Sequence, residues 1–170
     1  RYSVQRIRRR IMKTKYFVIA DTHFGHENVI RYCNRPFPTL DKMHYELIKR
    51  WNSVVTNNDV VFVLGDFAFG KETVQKFVPL LNGRKILIKG NHDSYPNEFY
   101  RQCGFEEVSK YPILFDFYLL SHEPLLLSET TPYYNFYGHV HNDEKYSDNA
   151  TSKCISVERI GYQPFCFLSK

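Results

Sequence analysis

The side chains of this sequence that could do chemistry gather in five short polar tips. They read Asp21-Thr22-His23, with His26 close behind; Gly65-Asp66; Gly90-Asn91-His92-Asp93; Ser121-His122; and Gly138-His139-Val140-His141. Six of the seven histidines fall in these tips. Two imidazoles at i and i+2 of an extended segment share one face and can converge on a metal or a metal pair. Asp21 and His23 have the same spacing. Taken singly, a Gly-Asp is also ordinary turn chemistry. Taken together, Asp, His and Asn form the donor set of borderline-to-hard ions: Mn²⁺, Fe²⁺ or Fe³⁺, Zn²⁺ and Ni²⁺. No cysteine joins them, which argues against a structural thiolate zinc site. Two further residues could meet a substrate. His26 follows the first tip directly, and Arg35 precedes Pro36-Phe37 in a loop, where a guanidinium suits a phosphate. Tyr133, Tyr134 and Tyr137 crowd the approach to His139 and read as core packing rather than as a base-stacking surface.

Each tip follows an apolar run that could hold it in place. Tyr16–Ala20, Val60–Leu64 and Lys85–Ile88 are short, continuous and rich in branched residues, as strands buried on both faces are. Between them, Leu40, His44, Leu47, Ile48, Trp51 and Val55 repeat at three- and four-residue steps and predict an amphipathic helix over 40–55. His44 lies on its apolar face and reads as a hydrogen-bonded core histidine. Val74, Phe77, Val78 and Leu81 predict a second helix, which Pro79 should kink or cut short. The alternation of strands and helices implies right-handed crossovers and a parallel sheet. Open α/β sheets carry their functional loops beyond the carboxyl ends of the strands, where the tips fall. Beyond residue 110 the chain turns to short strands, over 111–120, 134–137, 154–157 and 164–168, and these predict a second sheet.

Composition removes several classes. Hydrophobic residues are 43% and charged residues 24% of the 170, ordinary for a folded domain. No uncharged apolar run approaches the ~20 residues of a membrane helix, so no membrane partner is expected. The net charge of +5 comes entirely from Arg1, Arg6, Arg8, Arg9 and Arg10. The rest of the chain is balanced, so a nucleic acid remains an open partner that charge does not indicate. Residues 1–11 are expected to be a non-native or disordered basic extension, and 12–170 a single domain. Four cysteines without CxxC spacing, and no signal-peptide pattern, point to reduced thiols and a cytoplasmic protein.

The ordered set D-x-H, G-D, G-N-H-D, a lone His and G-H-x-H, spanning Asp21 to His141, resembles the calcineurin-like metallophosphoesterase superfamily. The segment DTHFGHENVIRYCNRPF is similar to its small, cap-less microbial and phage members. The resemblance implies an α/β fold: a two-layered mixed β-sheet sandwich flanked by helices, α/β/β/α, in one domain. It implies two divalent or trivalent metal ions, Mn foremost, with Fe, Zn or Ni as alternatives. Asp21, His23 and His141 would hold the first ion, Asn91, His122 and His139 the second, and Asp66 would bridge them. His92 would contact the phosphate and act as general acid, assisted by Asp93. The expected activity is that of a phosphodiesterase with a metal-bridging hydroxide as nucleophile and a small phosphate-ester or nucleotide-type substrate. A DNA or RNA nuclease of the same superfamily is the alternative, and a catalytically silent scaffold a weaker one, since every ligand position is filled. Two positions depart from the pattern: Ala20 replaces the glycine before the first Asp, and Ser121 replaces the glycine before His122.

Overall fold

The apolar runs become the centre of the structure. A computed structural model describes residues 13–170; the basic stretch expected to be an extension, 1–11, lies outside the described residues. Strands β1 (Lys15–Ile19), β2 (Val60–Val63), β3 (Arg84–Ile88) and β4 (Glu107–Ser109) pair in parallel, in the order β4-β3-β2-β1. The last strand, β9 (Phe165–Ser169), adds antiparallel to β1 and closes that edge. A second sheet has the order β5-β6-β7-β8, from Ile113–Phe115, Tyr118–Leu120, Tyr134–Tyr137 and Ser152–Cys154. Its first pair is antiparallel and the other two are parallel.

Alternation along the strands makes two cores. Phe17, Ile19, Val61, Val63 and Leu87 face the helices. Val18, Ala20, Val60, Phe62, Leu64 and Ile88 face Leu120, Phe136 and Ile155 between the sheets. The helices are α1 (Asn28–Tyr32), α2 (Leu40–Val54), α3 (Lys71–Phe77) and α4 (Asn97–Cys103). Thr39 caps α2 by accepting from the Lys42 amide, and Met43, Leu47 and Trp51 form its buried stripe. As expected, α3 stops before Pro79 and passes into a single 3-10 turn, Val78–Leu80. His44 is a core hydrogen-bond partner: its Nε2 accepts from the Gly25 amide at 2.8 Å.

The two-layered mixed sandwich holds, with three differences of detail. Among the described residues every α-helix contributes side chains to the core on the first sheet, and loops such as Pro124–Leu126 and Lys145–Asn149 lie outside the second. The run 111–120 is a hairpin rather than one strand, turned by Asp116 at φ 52. The run 164–168 joins the first sheet, not the second. No helix among the described residues is long and apolar enough to cross a membrane.

Candidate metal centre

All five tips meet at one end of the sandwich. The Asp21 amide donates to Gly65 O and the His23 amide to Asp66 O, so the loops after β1 and β2 run together. Asp93 locks the third loop to them: its carboxylate accepts from the amides of Asp66 (2.7 Å), Phe67 (3.2 Å) and Gly90 (2.9 Å). The Gly138 amide donates to His122 O and joins the last two tips. This crowding is why glycines stand there. A Cβ on Gly65, at φ +87, would lie 2.4 Å from His122 Nδ1; one on Gly90 would lie 2.3 Å from Asp66 Oδ1.

The backbone is strained where the chemistry is. Among the described residues, eight non-glycine residues have positive φ, and Asp21, His23, Asp66, His139 and His141 are five of them. Each such position costs of order 1–3 kcal/mol and persists only where surrounding contacts enforce it.

The side chains form two clusters of lone pairs about Asp66. In one, ligand atoms of Asp21, His23 and His141 lie within 4.8 Å of one another. Asp21 Oδ1 and His23 Nε2 are buried there with no hydrogen-bond partner, a costly state for polar atoms that a cation would relieve. In the other, His122 donates from Nδ1 to Leu64 O (2.8 Å), which leaves Nε2 as a bare acceptor. That Nε2 lies 3.0 Å from Asn91 Oδ1, itself an acceptor, and 3.1 Å from His139 Nδ1. Two acceptors at such a distance do not attract each other, and a positive ion between them makes the contact favourable. Asp66 Oδ2 lies 3.7 Å from His23 Nε2 and 3.6 Å from His122 Nε2, between the clusters. The residues therefore fit two ions, with hard oxygen and imidazole donors throughout.

Burial tunes these groups. It raises the Asp21 carboxyl to about 6, against the pull of His141 and His122. Burial, helped by His141 and Arg35, lowers His23 to about 2, so it is a neutral donor. Burial would lower His141 as well. Hydrogen bonding to Cys33 and Glu158 and the Asp21 charge override it and lift the imidazole to about 11. Burial also raises Asp93 to about 6, against its amide donors and with Asp66 adding to it.

His92 stands at the mouth. Its side chain is 43% exposed, its Nε2 is 3.9 Å from Asp66 Oδ2, and its amide donates to Asp66 Oδ1. His26 is beside it, 6.5 Å between ring centroids.

Two expectations need correcting. Arg35 is not placed to meet a phosphate. Its side chain is 0% exposed, and it donates to Asp21 O (2.7 Å), Thr22 O (3.0 Å) and Glu158 Oε1. Phe37, two residues on, is buried in the helix-side core, and the Arg35 donors are spent on the first metal loop and on Glu158. Asp93 makes no hydrogen bond to the His92 ring; its carboxylate is turned to the three loop amides.

One supporting residue carried no sequence signal. Glu158, in a single turn after β8, accepts from Arg35 and from His141 Nδ1 (3.1 Å). A proton held at Nδ1 leaves the other ring nitrogen for a metal, the usual arrangement behind a ligating histidine. Ser156 similarly donates to Asp21 Oδ2 at 2.6 Å.

A family model described as calcineurin-like phosphoesterase matches residues 14–163. An uncharacterized protein of Methanocaldococcus jannaschii is 37% identical over 163 residues, 88% of this chain and 85% of that one. The gene 66 protein of Mycobacterium phage L5 is 35% identical over 78 residues, 44% of this chain and 37% of its own. Among solved structures, an Aquifex aeolicus protein of unknown function superposes with a TM-score of 0.71 at 24% identity, over 90% of this chain and 95% of that one. The Pseudomonas putida nuclease MPE superposes with 0.51 at 20% identity, over 74% and 61%. At these identities the two structures share the fold.

Proposed function

The chain belongs to the calcineurin-like phosphoesterase family, whose members are metal-dependent phosphoester hydrolases, and from that premise we propose that it is a phosphodiesterase acting on a small, nucleotide-type diester. The observation that carries the proposal is the pair of lone-pair clusters on either side of Asp66, with His92 exposed beside them. Asp21, His23 and His141 would hold one ion, Asn91, His122 and His139 the other, with Asp66 shared. When bound, such a pair polarises a phosphoryl oxygen and makes water nucleophilic near neutral pH; we place Mn²⁺ first among the ions, with Fe, Zn and Ni as alternatives that these imidazole and oxygen donors also suit. His92 Nε2 then gives its proton to the departing alkoxide oxygen, an effect worth roughly 10²–10⁴-fold. Glu158 and Ser156 hold ligands in place, and Arg35 and Asp93 hold the loops.

A nuclease reading draws on one observation, a cleft of about 270 Å³ leading from Asn91 and His122 past Lys89 and Lys110. Lys89 Nζ is already donating to Tyr95 O, and Glu123 also lines the cleft. Glu123 offsets one of the two lysines and the Tyr95 carbonyl holds the other donor in place, which leaves little net charge for tracking a phosphate chain, so the small diester is favoured.

The test reconstitutes metal-free protein with Mn²⁺, Fe²⁺, Zn²⁺ or Ni²⁺ and assays a monoester, a diester and a cyclic nucleotide together. Mn²⁺ with the diester should give the highest kcat/KM. His92→Asn should keep both metals by elemental analysis. It should slow a diester with an alkoxide leaving group by roughly 10²–10⁴-fold and an aryl diester by less. Equal losses on both diesters would remove His92 from the acid role. A monoester preferred throughout would overturn the diester reading.

A further inference from the structure

We propose that Phe69, backed by His26 and bordered by Tyr32, is a stacking platform for a nucleobase on the leaving side of the scissile phosphate. The substrate would then be a diester whose departing alcohol is a nucleoside. This rests on the phosphodiesterase function proposed above and narrows its substrate.

Phe69 lies three residues beyond Asp66, on the same loop. Phe67 and Ala68 between them are buried, but Phe69 is 52% exposed. Its position is fixed all the same: its amide donates to Phe24 O at 2.8 Å, and Ala68 pairs with Phe24 as an isolated bridge. The ring is stacked on His26, with centroids 5.1 Å apart and planes 25° apart. His26 therefore covers one face of Phe69, and the exposure belongs to the remainder of the ring. Tyr32, 67% exposed, stands 6.4 Å from His26 in a tilted contact, with the Arg31 guanidinium 5.4 Å over the Tyr32 ring.

A single exposed aromatic residue needs no explanation. Here two exposed rings flank a histidine that sits beside the reacting groups. Phe69 is 6.2 Å and His26 6.5 Å from His92, centroid to centroid. His92 would deliver its proton to the leaving oxygen, so whatever is bonded to that oxygen lies on the side of Phe69. In the reaction, a water oxygen bonds to phosphorus and the bond from phosphorus to the nucleoside oxygen breaks. The His92 proton goes to the nucleoside oxygen, and the water proton is released to solvent. An open, rigid aromatic surface matches a flat ring, and every base has a π-face to offer it. An alkyl chain would gain from a concave pocket instead.

The test compares two esters of thymidine 3′-phosphate on the Mn²⁺-loaded protein, one with the 5′-oxygen of deoxyadenosine and one with methanol. Both release a primary alcohol, and only the first carries a base on the leaving side. Wild type should prefer the deoxyadenosine ester by roughly 5- to 150-fold in kcat/KM, the range of one base–aromatic stack. Phe69→Ala should bring the ratio close to one, and Phe69→Trp should keep it. A ratio near one in wild type, or one that survives Phe69→Ala, overturns the proposal. If neither ester is hydrolysed, the function proposed above fails, and equilibrium binding still decides this one. Adenosine 5′-monophosphate should then bind more tightly than ribose 5-phosphate in wild type but not in Phe69→Ala, and equal binding in wild type overturns it.

Discussion

Arg35 and Asp66 are both charged and both buried, and their neighbours assign them opposite work. The Arg35 side chain meets Glu158 and two carbonyls of the first metal loop, so removing it leaves those carbonyls without their donor and Glu158 buried with His141 alone for a partner. Arg35→Met should therefore lower stability by about 3–5 kcal/mol in urea denaturation, the usual cost of breaking a buried ion pair from one side. A phosphate-binding arginine would instead unfold normally and raise KM, and that result would restore the role its sequence context suggested. Asp66 faces both lone-pair clusters, at 3.7 Å from His23 and 3.6 Å from His122. Asp66→Asn should lose metal occupancy and activity together, and a variant that keeps two metals with near-normal turnover would exclude a bridge. The seven proposed ligands were legible because their types and order are unusual together. Burial of Arg35 was not, because a loop arginine before Pro-Phe looks the same whether its loop folds inward or outward. Glu158 was invisible for a related reason: its meaning comes from His141, 17 residues away, and only the fold brings them together.

The loops, rather than the strands, decide whether those side chains meet. Gly65 shows how little room they leave. A methyl group there would lie 2.4 Å from His122 Nδ1 and 2.6 Å from the Gly90 amide, at a φ of +87 that an L-residue tolerates poorly. Gly65→Ala should push His122 away from Asn91 and His139, so calorimetric titration should show one metal site weakened more than the other, with a lowered Tm. An unchanged Tm with two intact sites would mean that the loops yield more easily than their packing implies. Among the elements themselves, α2 was readable almost to its ends because fifteen residues carry a full amphipathic period. Helix α4 went unread, since seven residues with adjacent Phe99 and Tyr100 give no clear period. The hairpin of β5 and β6 was hidden by its turn, Asp116-Phe117, which has neither glycine nor asparagine to mark it. The partner of β9 was unreadable in principle: strand patterning specifies a face, not a neighbour, and β9 crosses back from beyond the second sheet to pair with β1.

The whole molecule separates support from chemistry. Two apolar cores lie above and below the first sheet, one against the helices and one against the second sheet, and neither contains a proposed ligand. The ligands instead sit past the strand ends, where Asp21 Oδ1 and His23 Nε2 are buried without partners. Removing metal should therefore leave the cores intact and make only the loop end costly. Chelated protein should keep its far-ultraviolet circular dichroism, lose hydrolysis, and unfold at a lower temperature. Restoring Mn²⁺ to about 100 times its Kd should return about 2.7 kcal/mol for each site that binds independently, by mass action on the folded state alone. Hydrogen exchange should place the loss locally, in the amides of Asp21–His23, Asp66–Phe67 and Gly138–His141, while Val61, Phe62 and Val63 of β2 exchange only by global unfolding. Uniform loss of protection across β2 on chelation would show that the metals hold the sheet itself together, and full activity after chelation would end the metallophosphoesterase reading of the site.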